Sequence, residues 1–185
     1  MTQPRAIALA FFLCTALSRV EAACPDDQTE RCLMGNCICV PDELDEASTR
    51  VGGLLLEQWL IESRDKIVAS ARPIPADIRA KLKSSVDAKV LDAARYRIDD
   101  GTAIDLASLN LVYGDLVGSR IAAVTLIDVI VFRDAKTASD SAVWAHELFH
   151  VKQFREWGVH EFAMRYARDF HQVEDPAYAF QAAHE

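Results

Sequence analysis

Ala145-His146-Glu147-Leu148-Phe149-His150-Val151-Lys152-Gln153 is the stretch on which the reading of this chain turns. Its surroundings read as helix, and two histidines four positions apart on a helix stand one turn apart on the same face. Their imidazoles can then grip one metal ion, the His-Glu-x-x-His arrangement of zinc sites. Glu147 lies beside them without needing to be a ligand. There it can take a proton from a metal-activated water, the general-base role that this spacing serves in metallopeptidases. Chance alone would produce the pattern in roughly one chain of this length in a few hundred. Trp144, Leu148 and Val151 form an apolar stripe on the other side, so the helix is expected to pack one face in the core and turn its metal face to a solvated cleft. Asp140 and Ser141 are candidate caps at its start, and Gly158 is a candidate stop.

A catalytic zinc usually keeps three protein ligands and one open position, so the two histidines need a third partner. Gln153 and Glu156 stand where a metzincin has its glycine and third histidine, which removes that arrangement. Glu174 follows after a helical stretch over 162–170, and a glutamate delivered by a later helix is the gluzincin arrangement. Glu174-Asp175-Pro176-Ala177-Tyr178 has the form of a helix start, with proline tolerated in the first turn. Glu174 is therefore the expected third ligand of one zinc ion, with His160 and His171 as competitors and an acidic helix cap as the plain alternative. Tyr166, Tyr178 and His171 are candidates to steady a tetrahedral oxyanion.

The 185 residues are 51% hydrophobic, enough for one globular domain with a sizeable core. A formal charge of −8 without a Lys/Arg cluster excludes the basic footprint of nucleic-acid binding. Met1–Ala23 reads as a secretory signal: Arg5 opens it, Ala6 to Leu17 is apolar, and Val20-Glu21-Ala22 resembles a cleavage site. The protein is expected to be secreted or periplasmic. The apolar run is too short for a transmembrane anchor, and a lipid on Cys24 is the weaker alternative. Beyond Cys14 in the signal, Cys24, Cys32, Cys37 and Cys39 imply two disulfides in an oxidising compartment. Cys37 and Cys39 are too close to pair with each other. Cys24–Cys37 with Cys32–Cys39, and Cys24–Cys39 with Cys32–Cys37, both stay open. A four-cysteine zinc knot would want a Cys-x-x-Cys pair, and there is none.

The middle of the chain reads as scaffold. Helical spacing of Val51, Leu54, Leu55, Trp59 and Ile61 predicts a helix within 43–71, kinked or weakened by Gly52-Gly53. Arg72-Pro73-Ile74-Pro75 breaks the chain, and a second helix from Ala76 or Asp77 places Ile78, Leu82, Val86, Val90 and Leu91 on one face. Strands are expected over 96–98, 109–113, 121–126 and 129–132, with Ile127-Asp128 as a reversal. The fold class is α+β and zincin-like, mostly helical with a small β-sheet preceding the active-site helix. Residues 1–23 form the signal, 24–42 a disulfide-stapled segment, 43–73 a helical segment, and 74–185 the metallopeptidase core. An edge strand of the sheet would bind an extended peptide by strand addition, unless the sheet is only core.

Residues 145–153 resemble the His-Glu-Leu-x-His-Val-x-Gln signature of the extracellular contractile injection system core domain, a family described as metallopeptidases. Ile74-Pro75-Ala76-Asp77-Ile78-Arg79 is similar to the start of that domain. Ala123-Val124-Thr125 with Asp128-Val129-Ile130-Val131-Phe132 is similar to the part ahead of its helix. The resemblance spans roughly 74–153 and continues more weakly through 174–178, with Phe154 where a second glutamine is usual. Motif and resemblance together imply an exported zinc-dependent metallopeptidase acting on a peptide or protein substrate, with His146, His150 and Glu174 as ligands and Glu147 as base. The competing expectation is a non-catalytic, zinc-binding exported module. The pattern is silent on oligomeric state.

Overall fold

The computed structural model describes residues 24–33, 36–101 and 121–185. The signal segment and the strand expected over 109–113 lie outside them. Along the described residues run β1 (Gln28–Leu33), β2 (Asn36–Pro41), α1 (Asp42–Ile67), β3 (Arg72–Pro73), α2 (Ala76–Leu82), α3 (Ala88–Ala93), β4 (Arg95–Ile98), β5 (Ala123–Leu126), β6 (Val129–Phe132), α4 (Ser141–Arg168) and α5 (His171–Ala182). The class is α+β, mostly helical, with a small sheet ahead of the motif helix as expected.

Val129-Ile130-Val131-Phe132 has no polar position, a pattern suited to a strand covered on both faces. It is an inner strand of the order β3-β4-β6-β5, parallel to β4 and antiparallel to β5. Alternation then divides the core in two. Ile130 and Phe132 meet Trp144, Leu148 and Val151 of α4 together with Ile78 and Leu82 of α2, whereas Val129 and Val131 meet Leu56, Leu60 and Ile67 of α1 with Phe154 and Phe162 of α4. The predicted apolar stripe on the motif helix is thus the side that packs on the sheet. The β5–β6 reversal places Ile127 at φ 62°, a left-handed conformation that costs a β-branched residue about 1–2 kcal/mol. Arg64 on α1 grips the next residue, Asp128, through Nε and Nη2 at 2.8 and 3.0 Å, so the strained turn is tied to α1. That carboxylate in turn raises the Arg64 guanidinium above its ordinary value.

Several expectations are corrected by packing. Gly52-Gly53 does not kink α1, whose helix is continuous. A Cβ on Gly53 would lie 2.4 Å from Met164 Sδ and 3.3 Å from Met164 Cα, so the glycine is there to let α1 approach α4. The second helix is two short ones. Ser85 returns its hydroxyl to Leu82 O, and Asp87 caps α3 by accepting the Lys89 amide at 2.6 Å, both local bonds that compete with helix continuation. The apolar face survives the break, with Ile78, Leu82, Val90 and Leu91 buried. Arg72-Pro73, expected as a breaker, is also an edge strand pairing with Arg95 and Tyr96, where proline is tolerated because its missing N–H falls at an edge.

The cysteine-rich segment is an antiparallel hairpin. Its backbone register sets Cys32 opposite Cys37, and Cys24 is bonded to Cys39, which decides for the second of the two pairings as far as Cys24 is concerned. A sulfur in a disulfide cannot carry a thioether lipid, so the bond at Cys24 weighs against the lipoprotein alternative. The bond fits an oxidising, extracytoplasmic compartment. Among the described residues no helix is long and apolar enough to cross a membrane.

Candidate metal centre

Asp140 caps α4 as expected, accepting the Ala142 amide at 2.9 Å, and the helix then runs to Gly158. There φ 78° and ψ 166° interrupt it, a conformation essentially restricted to glycine. The chain does not stop but changes direction, and α5 returns along α4. The start of α5 lies three residues before Glu174, so Pro176 sits inside the helix rather than in its first turn. This return brings Glu174 over the His146–His150 face.

The three side chains converge. His146 Nε2 lies 3.1 Å from His150 Nε2, Glu174 Oε2 lies 3.3 Å from the first and 3.5 Å from the second, and each offers one ligand atom. Two imidazole nitrogens and a carboxylate facing one another this closely could hold a cation between them. Ligands at about 2.0–2.1 Å around a tetrahedral ion stand about 3.3 Å apart, so the group fits a small metal ion. Without metal a proton takes that role: burial works against charge on His150, but the Glu174 carboxylate and then Glu147 outweigh it and raise the imidazole to about 9. The same contacts hold Glu174 well below the usual carboxylate range in spite of its burial.

Gln153 settles which His150 nitrogen faces the cluster. Its Nε2 donates to Val173 O at 2.9 Å, and because a carbonyl can only accept, the amide orientation is fixed. Gln153 Oε1 therefore accepts from His150 Nδ1–H at 2.7 Å, leaving Nε2 as the nitrogen turned to the cluster. One amide thus orients one candidate ligand and anchors the residue preceding another. Its signal in the sequence is its place three residues after His150, on the same helix face. Glu147 has a comparable partner in Thr125 of β5, whose hydroxyl donates to Oε2 at 2.6 Å. Thr125 was legible only as a hydroxyl within an apolar run.

The expected solvated cleft is closed over the motif: His146, Glu147 and His150 are 8, 5 and 5% exposed. Tyr178 lies over the His146 ring, centroids 4.6 Å apart, with its phenol held above its ordinary value by burial and then by Glu174 and Glu147. Tyr166 packs against Phe162 and Phe170, and burial, then the Glu174 charge, pushes it well up. Both stay protonated as donors near neutral pH. His171 is placed elsewhere, exposed and paired with Asp175 at 3.2 Å, because it opens α5 on its outer side. His160 is likewise remote, bonded to Glu57 of α1 at 2.8 Å.

Residues 73–158 match the family model described as the eCIS core domain. The match runs from β3 to the break at Gly158 and leaves Glu174 beyond its end. No curated protein and no solved structure matches the chain.

Proposed function

We propose that this protein is an exported zinc metallopeptidase with a zincin-like, gluzincin-type site, hydrolysing peptide bonds. The observation that carries the reading is the convergence of His146, His150 and Glu174 at 3.1–3.5 Å beside the carboxylate of Glu147. Zinc bound by these three would lower the pKa of water to about 7 and polarise a scissile carbonyl.

The chain's own groups supply the rest. Thr125 ties down Glu147 Oε2, so the other carboxylate oxygen is the one available to take a proton from the attacking water and pass it to the leaving amine. Tyr178 holds a phenolic proton beside the metal face, where it can donate to the oxygen that gains charge. The strand carrying Thr125 is the last in the described sheet order, with Ala123 and Val124 half-buried. An extended peptide pairing along β5 would lie beside Glu147. The Cys24–Cys39 bond supports export.

Metal analysis of the purified protein joined to a peptide-library cleavage screen tests the proposal. Wild type should carry about one zinc per chain and cleave. Glu147→Gln should keep the metal and lose about a hundredfold to ten-thousandfold in cleavage rate. A metal-free wild type, or an unchanged rate in metal-loaded Glu147→Gln, overturns it.

A further inference from the structure

The outer face of α1 is as apolar as the inner one. Thr49, Gly53, Leu56, Leu60, Ser63 and Ile67 turn inward and are buried, yet Leu44, Val51, Leu54, Leu55 and Ile61 are 54, 57, 48, 63 and 40% exposed. At about 100° per residue the two sets fall on opposite sides of the helix. Leu44, Val51 and Gln58 recur every seven residues, and Ala47, Leu54 and Ile61 repeat the interval three positions on, the a/d seam of a helix that pairs with another helix. Leu54, Gln58 and Ile61, with Glu57 and Glu62 at its border, also line a shallow groove along it. A single exposed leucine needs no explanation; a continuous seam of this length does.

We infer that this seam pairs α1 with the α1 of a second copy, antiparallel about a two-fold axis near Val51 and Leu54. In that register Val51 meets Leu54 of the second copy, Leu44 meets Ile61, and Ala47 meets Gln58. Charge selects the orientation. Arg50 is exposed and Glu57, which already holds His160 through Oε2, is half-buried along one border of the seam, and antiparallel pairing sets Arg50 against Glu57 of the second copy twice, once on each side of the axis. Parallel pairing would instead set Glu57 against Glu62 of the other helix and strand Arg50 beside Leu55. A lipid surface is the poorer occupant. Helices that lie on membranes border their apolar face with Lys and Arg, whereas Glu43, Glu62 and Asp65 share this one.

Sedimentation of the purified, disulfide-intact protein over a range of concentrations provides the test. A monomer–dimer equilibrium in the micromolar range is expected, and Leu54→Glu, exposed and so harmless to folding as a melting curve would check, should leave monomer only. Arg50→Glu should weaken the dimer about tenfold by turning two attractions into repulsions. The double variant Arg50→Glu/Glu57→Arg should restore it. A wild type that stays monomeric, a dimer indifferent to Leu54→Glu, or a charge swap without rescue overturns the pairing. So does a monomer that co-sediments with phosphatidylglycerol vesicles, which would give the face to a lipid surface.

Discussion

Upstream of Gly158, α4 buries four polar side chains, His146, Glu147, His150 and Gln153; downstream it buries Phe162, Ala163 and Ala167. The first half is tolerated because other elements supply partners, Thr125 from β5 and Val173 O and Glu174 from α5, with His146 Nδ1 a buried atom left without one. The second half is held by fit, with Gly53 of α1 admitting the Met164 side chain. A buried polar group stripped of its partner retains its full desolvation cost, while a lost apolar contact costs according to the cavity or clash that follows. The metal half should therefore respond to chemistry at constant shape, and the far half to shape at constant chemistry.

The largest effect expected on that contrast is Glu174→Ala. Removing a ligand should reduce metal affinity by more than the roughly 10–100-fold that losing an outer partner costs, as read by competition with a chelator. Gln153→Ala should fall within that roughly 10–100-fold range, since it frees the His150 tautomer without touching a ligand atom. If Gln153→Ala binds metal like wild type, the amide is only packing. Gly53→Leu should leave metal affinity per folded molecule unchanged but lower stability by about 1–3 kcal/mol through overpacking on Met164. A comparable loss of affinity there would mean that the halves are not independent. At the small end, His160→Ala removes an exposed pair with Glu57 and should move stability by less than about 0.5 kcal/mol and metal content not at all.

Acidity probes the metal half alone. His150 in the metal-free protein is raised from 6.5 to about 9, so its pairing with Glu174 is fully present below pH 6.5 and is lost as pH rises through about 9. Metal must displace that proton, so apparent affinity should climb with pH and level off near 9, with proton release seen by calorimetry in two buffers. A flat profile across that window would show that no proton occupies the cluster.

How far the sequence reached follows from the range of the interactions involved. The two histidines, Glu147, the cap at Asp140 and the stripe of Trp144, Leu148 and Val151 are set by spacing along one helix, so the residues alone determined them. So was the class of fold, because the apolar run at Val129–Phe132 and the helical periodicities are local. Glu174 is the third ligand the sequence favours, by analogy with a glutamate delivered from a later helix, but no local spacing ties it to the histidines. Its selection over His160 and His171 depended on the turn at Gly158 and the path of α5, which no pattern within either helix encodes.

The same reasoning explains the misreadings. Gly52-Gly53 has low helix propensity and by itself predicts a weak point, but propensity of about 1 kcal/mol per glycine is overridden by close packing against α4. Ser85 and Asp87 split the predicted second helix through two local hydrogen bonds that a face-periodicity count does not weigh. Gln153 and Thr125 gained roles only where α5 and β5 came within hydrogen-bond reach of the motif. The residue types for a candidate metal site and the proposed base beside it are thus written in the sequence, because a helix fixes neighbours at i, i+1 and i+4. Which carboxylate joins the two histidines, which groups orient them and that the cluster is closed rather than solvated were decided by tertiary structure, because those depend on distances between segments far apart in the chain.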